Sequence, residues 1–578
     1  MDPQHISDRT VVGLFARRVA SSPSAPALRH HDGREWKTLT WADLQELVLR
    51  VASRLVEESI DPGDRVAILS HNSVEWRICD LAIQFAGGVT VPVYPTLPDR
   101  DANRILDHSG SRLVFVSSEQ DAARVAPTRA VRMDAEMAGW TSTGPTGEQL
   151  AQVERRAEAV RPDDLCTIVY TSGTTGEPKG AMLANRSLVD ITRAALEAFP
   201  LGPDDETLSF LPYAHVFERI NGTLICIACG ASSWLSRGTN RLVADFRECR
   251  PTIMVSVPRV YEKMHQQVMA QVAKSGPPRR LLFNFALDQG RRRARGQFAP
   301  LHPIADRMVL AKLRQALTGG RLRFFISGGA PLGRTVEEFF WSIGIKILNG
   351  WGMTETSSGA CSNSLSAHRF ETVGRPLPGV EMRLADDGEL LVKSPGNMLG
   401  YFRDQANTEE TLVDGWLRTG DVAEIDEEGF VRITDRKKDL IKTSGGKFVA
   451  PQLHESRLGQ SPVIEQAVVV GDQRPYVVAL IAPNWAEVRR ETGLNGDSAR
   501  LVDDDRVRAL VQRYVDELNQ DLGSWETIKY FSLVEEISEA RGEITPTLKV
   551  KRRVVEANHR DRIEEMYAQR RPPAEVTR

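Results

Sequence analysis

A cluster of hydroxyl-bearing and glycine residues is the feature of this sequence with the clearest chemistry. It follows a short apolar run at 166–170. Its members are Thr171, Ser172, Gly173, Thr174, Thr175, Gly176 and Lys179. Backbone N–H groups and hydroxyls at such a turn can surround phosphate oxygens, and a lysine adds a point charge. The Gly-Lys-Ser/Thr ending of a Walker loop is absent, so the cluster predicts a phosphate-binding loop of another kind.

Five further segments carry glycine, charged or hydroxyl residues in a fixed order. Residues 327–332 read Ser-Gly-Gly-Ala-Pro-Leu, and residues 350–356 read Gly-Trp-Gly-Met-Thr-Glu-Thr. Residues 414–421 read Asp-Gly-Trp-Leu-Arg-Thr-Gly-Asp, and residues 433–439 read Ile-Thr-Asp-Arg-Lys-Lys-Asp. Near the end, residues 545–553 read Thr-Pro-Thr-Leu-Lys-Val-Lys-Arg-Arg. Any one of them alone is typical of a turn or a solvated charged run.

Taken together, these segments resemble the adenylate-forming superfamily of acyl-CoA synthetases, firefly luciferases and peptide-synthetase adenylation domains. The resemblance extends from Asp163 to Arg553, and more weakly over the N-terminal part. It implies a reaction in which a carboxylate attacks the α-phosphate of ATP, pyrophosphate leaves, and the acyl group passes to a thiol. The cofactors that it implies are ATP, Mg²⁺ and coenzyme A.

The resemblance also assigns the nucleotide contacts. Trp351 would lie against adenine, where an aromatic face suits a purine; most relatives have tyrosine there, so a phenol hydroxyl is lost. Thr354 would contact phosphate, and Glu355 would hold Mg²⁺, a hard cation that takes carboxylate oxygens. Asp421 would bind both ribose hydroxyls, and Arg436 the ribose or phosphate. The remaining nucleotide-binding positions are Gly328, Gly329, Ala330, Gly350, Gly352 and Met353.

A catalytic lysine is implied near the C-terminus. It would bridge the carboxylate and the α-phosphate as negative charge concentrates there. Relatives often have glycine where Leu548 stands. Aligning Val550 and Arg552 selects Lys549 rather than Lys551 for this role.

The substrate is indicated by residues 211–219, which read Leu-Pro-Tyr-Ala-His-Val-Phe-Glu-Arg. This segment resembles the long-chain fatty acyl-CoA synthetase form of its motif, as do residues 257–262 and 414–438. In that form His215 gates the acyl pocket and the thiol tunnel, and we count it with the catalytic residues. The sequence therefore predicts an ATP-dependent long-chain fatty acid–CoA ligase.

Two other functions share parts of this pattern. An adenylating ligase that loads an acyl or aryl acid onto a carrier-protein phosphopantetheine would have every ATP motif, so the acceptor stays open. A non-catalytic binding relative would have lost Glu355, Asp421, Arg436 or Lys549. All four are present, which argues against that function.

The elements that must position these residues alternate between strand and helix patterns, which predicts an α/β fold with parallel sheets. Strands are expected at 65–69, 90–93, 166–170, 207–211, 252–257, 322–326 and 345–348. Ligands bind at the carboxyl ends of such strands. The loops after Tyr170, Leu211, Ile326 and Leu348 are therefore expected to build the site.

The alternation of strand and helix patterns ends after Gly379. Short strands at 382–384, 389–393, 422–425 and 430–433 predict a β-subdomain, and strands at 463–470 and 476–481 with a helix at 507–518 predict a compact α+β unit. We expect an N-terminal AMP-binding (adenylation) domain at 1–436 and a small, mobile, rotating C-terminal domain at 437–578. The resemblance places Lys438 at the hinge and Gly445 on the loop that enters the CoA tunnel.

Composition bounds the partners. The 578 residues carry a formal net charge of −3, which gives no reason to expect a nucleic-acid partner. No apolar run reaches the ~20 residues of a membrane span, and no secretory signal begins the chain. A cytoplasmic protein is expected, with peripheral membrane contact open. The basic residues 291–295 are typical of a solvated helix face or of contact with an anionic membrane.

Cysteine usage and oligomeric state add little. The six cysteines are scattered, which does not suggest a disulfide scaffold. Cys226 and Cys229 are interpreted as small buried residues on one helix face rather than a metal or redox pair. Nothing decides between a monomer and a homodimer.

Overall fold

The computed structural model describes residues 3–125, 128–172, 178–520, 522–538, 540–544 and 550–568. It confirms the α/β class, because two large sheets have parallel centres and helices cover their faces. Within these ranges no helix is both long and apolar enough to cross a membrane. All six cysteines are free, and the pair at 226 and 229 lies on the short helix Ile225–Cys229.

The first sheet has seven strands, of which the last five are mutually parallel. Its order is Gly400–Tyr401, Pro178–Ala184, Leu165–Ser172, Val89–Val93, Arg65–Leu69, Leu113–Val116 and Arg129–Arg132. The Val89–Val93 strand is buried at every position, as expected for a parallel strand covered on both faces. The predicted strands at 65–69, 90–93 and 166–170 are confirmed.

The second sheet has nine strands with a parallel centre and antiparallel edges. Its order is Arg375–Pro376, Cys361–Ser362, Lys346–Trp351, Phe324–Ser327, Ile253–Ser256, Glu206–Ser209, Ser232–Leu235, Pro26–His31 and Trp36–Thr40. The predictions at 207–211, 252–257, 322–326 and 345–348 are confirmed with shifted ends. The last of these strands runs on to Trp351, so Gly350 and Trp351 lie in a strand rather than after it.

Helices connect and cover these strands. The helix Trp41–Glu57 begins at a capping box in which Thr40 and Asp43 exchange hydrogen bonds, the pattern that its sequence predicts. The other helices of this part are Val11–Ser21, Val74–Phe85, Asp99–Ser109, Glu119–Arg124, Glu136–Ser142, Gly147–Ala159, Asn185–Ala198, Val216–Glu218, Ile225–Cys229, Leu242–Cys249, Pro258–Lys274, Pro277–Ala294, His302–Ala305, Ala311–Thr318, Arg334–Ser342 and Gln405–Thr411. Two π-helical turns, Arg219–Leu224 and Asp306–Leu310, join successive helices.

A third sheet follows after residue 380 and is antiparallel throughout. Its strands are Glu381–Leu384, Glu389–Lys393, Trp416–Ile425, Leu412–Val413 and Val431–Arg436. These strands match the predicted β-subdomain. The pairing of Asp421 with Arg436 across two of them brings two predicted nucleotide contacts side by side.

Residues after 440 form a smaller α+β unit with its own apolar clusters. Its three-stranded sheet consists of Ile464–Val470, Val478–Pro483 and Tyr530–Leu533, and a two-stranded ribbon pairs Ile441–Lys442 with Phe448–Val449. Its helices are Pro451–Leu458, Trp485–Thr492, Ser498–Leu501, Asp505–Gln520, Arg552–Asn558 and Arg560–Ala568. The predicted strands at 463–470 and 476–481 and the helix at 507–518 are thus confirmed.

Among the described residues, the small unit meets the large one at several places, and the helix Pro451–Leu458 packs against the strand Val431–Arg436. Arg259 forms an ion pair with Glu465. A Cβ atom on Gly333 would lie 2.5 Å from Nε2 of Gln460, so this glycine permits the close approach of the two surfaces. The interface therefore includes a charged pair, and the absence of a side chain on Gly333 leaves room for the end of the Gln460 side chain.

Candidate active site

The predicted phosphate-binding segment is flanked by two strands that form a hairpin. Strands Leu165–Ser172 and Pro178–Ala184 pair antiparallel, with Thr171 opposite Lys179 and Ser172 opposite Pro178. The helix Asn185–Ala198 follows the second of these strands. Gly173, Thr174, Thr175 and Gly176 lie outside the described residues, so their roles stay predictions.

Lys179 is fixed by side chains that come from far along the sequence. Its ammonium group donates to Oδ1 of Asn407 and lies 5.3 Å from the centre of the Tyr401 ring. Asn407 is itself oriented by a 2.7 Å bond from its Nδ2 to Asp404. The lysine is therefore held at the loop end of the hairpin, where it can add charge to bound phosphate.

Glu355 lies close to this lysine and is positioned by Tyr401. The tyrosine hydroxyl donates to Oε1 of Glu355 at 2.8 Å, and the backbone N–H of Met398 donates to the Glu355 carbonyl at 2.8 Å. Burial, together with the Glu355 charge, raises the pKa of Tyr401. The phenol therefore stays protonated and remains a donor at neutral pH.

A magnesium ion fits these residues as a partner shared with phosphate. Among the described residues no group of three or more His, Cys, Asp or Glu side chains is placed to hold a metal ion. Mg²⁺ usually binds proteins through one or two carboxylates plus substrate phosphates and waters. A single buried carboxylate beside a phosphate loop is the donor set that such an ion requires.

Replacing Tyr401 by phenylalanine tests this positioning. A hydrogen bond to a charged group contributes about 1.5–3 kcal/mol, so we expect the Mg²⁺ concentration for half-maximal pyrophosphate exchange to rise about tenfold. Tyr530→Phe is the matched control, since its buried hydroxyl has no partner among the described residues. Equal Mg²⁺ requirements in the two variants would contradict the role given to Tyr401.

A second cluster joins Trp351, Asp421 and Arg436. The indole N–H of Trp351 donates to Oδ2 of Asp421 at 2.8 Å, and Nε of Arg436 lies 3.1 Å from Oδ1 of the same carboxylate. The tryptophan that replaces the tyrosine of most relatives thus gains a hydrogen bond through its own N–H. The three predicted nucleotide contacts lie together, on strands from two different sheets.

The segment that carries Asp421 is anchored by Glu389. Its carboxylate accepts from the backbone N–H of Gly420 at 3.0 Å, from Lys437 Nζ at 3.1 Å and from Arg418 Nη2 at 3.2 Å. Although burial opposes it, the bonds from Lys437 and Gly420 hold the pKa of Glu389 below its ordinary value. Glu389 therefore stays ionised. It links Gly420, the neighbour of the predicted ribose contact Asp421, to Lys437, the residue before the predicted hinge.

Glycines in the two adenine-pocket segments are required by close packing. A Cβ atom on Gly352 would lie 1.4 Å from the carbonyl oxygen of Ser358, and one on Gly350 would lie 2.8 Å from that of Cys361. Gly329 has φ +86°, which favours glycine. A Cβ atom on Gly328 would lie 3.2 Å from the ring of Phe217. Ala330, Met353 and Thr354 lie in the same two segments.

His215 begins the helix beneath these segments. Its Nδ1 accepts the backbone N–H of Phe217 at 3.1 Å, which places its ring proton on Nε2. The loop before it is clamped by Asn72, which donates to the Leu211 carbonyl at 2.6 Å and accepts the Tyr213 N–H at 2.8 Å. His215 therefore lies two residues from Phe217, whose ring packs against Gly328, and its role as a gate stays a prediction.

Glu218 belongs to the motif at residues 211–219, but the sequence did not predict the environment of its carboxyl group. It is 1% exposed, accepts the Ser209 hydroxyl, and leaves Oε2 without a partner among the described residues. Burial raises the pKa of Glu218 to about 7, against the opposing hydrogen bond from Ser209 and the charge of Arg77. The side chain is thus held near its protonation point at neutral pH.

Glu218 predicts a pH dependence of stability with a definite sign. Between pH 4.5, its ordinary pKa, and about 7, the folded state keeps a proton that the unfolded state releases. Stability should therefore fall as pH rises through this window, by up to about 3 kcal/mol at about 1.4 kcal/mol per pKa unit. Thermal unfolding of Glu218→Gln from pH 5 to 8 should show a smaller fall than wild type. Parallel curves would contradict this explanation.

The predicted residues of the smaller unit are not in this cluster. Gly445 lies in the turn between Ile441–Lys442 and Phe448–Val449, where the Ser444 N–H donates to the Arg474 carbonyl at 2.8 Å. Lys438 follows the strand Val431–Arg436. Lys549 lies outside the described residues; its flanks, Ile544 and Val550, form an antiparallel bridge.

Comparison with known proteins agrees with this geometry. Residues 15–402 match the family described as AMP-binding enzyme, and residues 438–571 match its C-terminal domain. The long-chain-fatty-acid–CoA ligase FadD15 of Mycobacterium bovis is 35% identical over 566 residues, which cover 92% of each chain. Long chain acyl-CoA synthetase 3 of Arabidopsis thaliana is 30% identical, covering 96% of this chain and 92% of that protein.

Solved structures share the fold at lower identity. The adenylation domain of a carboxylate reductase from Mycobacterium chelonae has a TM-score of 0.77 at 22% identity and covers 97% of this chain and 91% of that one. ATP-bound MatB from Rhodopseudomonas palustris has a TM-score of 0.72 at 24% identity, covering 96% and 99%. The chain belongs to the AMP-binding enzyme family. Within it, the chain is similar along nearly its whole length to long-chain acyl-CoA ligases.

Proposed function

We propose that this protein is an ATP-dependent long-chain fatty acid–CoA ligase. The carboxylate attacks the α-phosphate of ATP, giving acyl-AMP and pyrophosphate, and the thiolate of CoA then displaces AMP to give acyl-CoA. The observation that carries the first step is the pair of clusters, one joining Lys179 and Glu355 through Tyr401 and the other joining Asp421 and Arg436. The 35% identity to the long-chain-fatty-acid–CoA ligase of Mycobacterium bovis, over 92% of both chains, supports a long-chain acid and CoA as the substrates.

The described residues divide the work of the first step. Asp421 accepts hydrogen bonds from the ribose, and its own orientation is set by Trp351. Arg436 and Lys179 balance the negative charge of the phosphates, while Thr171 and Thr354 offer hydroxyl donors. Lys179, Glu355 and Asp421 are held by hydrogen bonds to other side chains, an arrangement that lowers the reorganisation needed during the reaction.

Two further groups complete the proposal. Bound at Glu355, Mg²⁺ would shield the phosphate charge during attack of the carboxylate. Lys549 would stabilise the charge that develops between the carboxylate and the α-phosphate. CoA would approach along the loop that contains Gly445.

We further propose that the boundary between the large and the small domain lies between residues 436 and 437, with Lys438 as the hinge. The charged pair of Arg259 and Glu465 and the Gly333–Gln460 contact would then hold one orientation of the small domain. Rotation after adenylation would bring the CoA loop to the acyl-adenylate. Lys437, bonded to Asp387 and Glu389, would keep the fixed side of the hinge in place.

A substrate panel tests the function directly. Purified protein, ATP and Mg²⁺ would be given carboxylates from acetate to stearate and aryl acids, with free CoA or with a phosphopantetheinylated carrier protein. We expect acyl-CoA products that peak with long-chain acids. Pyrophosphate exchange without thioester on CoA, together with transfer to the carrier, would instead establish a carrier-loading ligase. Long-chain acids partition into lipid, so the proposal includes peripheral contact with a membrane surface.

A further inference from the structure

A helical hairpin at residues 277–312 projects apolar and basic side chains from the large unit. Its first helix is Pro277–Ala294, and its second arm begins with His302–Ala305 and the π-turn Asp306–Leu310. Phe283, Ala286, Leu287 and Leu310 anchor it in one core cluster. The basic hairpin, as we call residues 277–312, is thus fixed along one face and free along the others.

Its exposed apolar side chains are unusually concentrated. Of the sixteen large hydrophobic side chains exposed in the described residues, seven belong to this hairpin. They are Leu281, Leu282, Phe285, Phe298, Leu301, Ile304 and Met308. Phe298, between the two arms, is 84% exposed and Leu281 is 70% exposed. Exposed apolar side chains are normal when they are scattered singly, whereas their concentration in one segment indicates an interaction site.

These side chains follow helical spacing. Leu281 and Phe285 are one turn apart on the first arm, and Ile304 and Met308 are one turn apart on the second, so each arm carries an apolar stripe. Lys312 lies one turn beyond Met308, so a cation borders the second stripe. Neither stripe is needed for the core, because the buried residues of both arms lie elsewhere.

The hairpin is also strongly basic. Residues 277–312 contain eight Lys or Arg and two Asp or Glu, hence a charge of +6, so the rest of the chain carries −9. Arg292 pairs with Asp288 and Arg295 pairs with Glu338, while Asp306 pairs with Arg314 beyond the hairpin. Six of the eight basic side chains have no acidic partner within 4.0 Å among the described residues. They are Arg279, Arg280, Arg291, Arg293, Arg307 and Lys312.

We propose that the basic hairpin docks the enzyme on an anionic lipid bilayer. Exposed apolar stripes among unpaired Lys and Arg are what an interfacial helix uses: the apolar groups enter the headgroup–acyl boundary and the cations meet lipid phosphates. A second copy of this chain fits less well, because a two-fold interface would set +6 against +6. The inference rests on the proposed function for its purpose, since the bilayer is where long-chain acids accumulate.

The test is sedimentation of the full chain with vesicles, without substrate. Vesicles of phosphatidylcholine with 30% phosphatidylglycerol are compared with phosphatidylcholine alone. Arg291→Gln/Arg293→Gln removes unpaired charge, and Phe298→Ser/Ile304→Ser removes apolar groups. The matched controls are Arg34→Gln/Arg155→Gln, an equal loss of exposed charge, and Leu384→Ser/Val413→Ser, two exposed apolar residues of the β-subdomain.

We expect binding to the anionic vesicles that weakens at high salt, and a fall of the partition coefficient of about tenfold in each hairpin variant. The control variants should bind like wild type. Equal binding of hairpin and control variants, or no binding at all, would overturn the inference. So would a dimer, seen by light scattering, that only Phe298→Ser/Ile304→Ser dissociates.

Ligase activity on octanoate, measured without vesicles, separates this inference from the proposed function. Hairpin variants should keep that activity, because none of the substituted residues lies among the nucleotide-binding residues. Loss of lipid binding with octanoate turnover intact would concern the surface alone. Absence of any CoA ligase activity in wild type, with lipid binding intact, would concern the proposed function alone.

Discussion

Lys549→Ala is expected to lower the rate of adenylate formation about 10²–10³-fold, the usual cost of removing one group that stabilises developing negative charge. Thioester formation from supplied acyl-AMP should largely persist, because the α-phosphate has already been attacked in that substrate. Pyrophosphate exchange measures the first half-reaction, and acyl-CoA formation from acyl-AMP and CoA measures the second. Comparing the two in one variant separates a catalytic role from a loss of folding.

Lys551→Ala is the matched control for this result. Lys551 is exposed, and its backbone N–H donates to the Glu543 carbonyl at 2.7 Å, a bond that alanine retains. The Lys551→Ala variant should keep both half-reactions. If Lys551→Ala loses adenylation and Lys549→Ala does not, the alignment of this segment is wrong by two residues. Equal loss of both half-reactions in Lys549→Ala would contradict the assigned role.

The second large effect is expected from Arg219→Met, on stability rather than on chemistry. Arg219 is 4% exposed and lies between the two large sheets, where Nε donates to Oδ2 of Asp80 at 2.8 Å and Nη1 donates to Thr167 at 2.7 Å. Asp80 in turn accepts the Thr90 hydroxyl at 2.9 Å. Methionine would leave the Asp80 carboxylate buried without its cation, which costs about 3–5 kcal/mol.

Thermal unfolding measures this loss, with Arg193→Met as the control. Arg193 pairs with Asp8 at 3.0 Å, but both side chains are exposed, so its loss should cost at most about 1 kcal/mol. Adding Asp80→Asn to Arg219→Met should restore part of the stability, because the uncompensated charge is then removed. A melting temperature for Arg219→Met equal to that of Arg193→Met would show that the buried pair does not stabilise the fold.

The local patterns of this sequence predicted its strands well, and its motifs predicted which residues share a site. Trp351, Asp421 and Arg436 are brought together as expected. The strand Pro178–Ala184 was missed because its Pro, Gly and Ala residues are poor strand formers. It becomes a strand only by pairing with its neighbour and with Gly400–Tyr401.

Long-range partners could not be predicted, since nothing in the local sequence encodes them. Tyr401 bonds Glu355 across 46 residues, and Arg219 bonds Asp80 across 139. The motif 211–219 named Glu218 and Arg219 only as marks of a branch of the family. Both are buried because the segment that contains them packs between the two large sheets. There Glu218 accepts the Ser209 hydroxyl and Arg219 donates to Thr167.

The β-hairpin of strands Leu165–Ser172 and Pro178–Ala184 has a consequence for the order in which the protein folds. Its two strands are neighbours in sequence, so their pairing needs little loop closure, and β-hairpins form in about 1–10 μs. The contacts that complete the site span much more chain: 70 residues for Trp351 to Asp421 and 228 for Lys179 to Asn407. Such contacts form slowly. We therefore expect a nascent chain to possess its phosphate-binding turn early and to become able to hold a whole nucleotide only when residues beyond Arg436 have been synthesised.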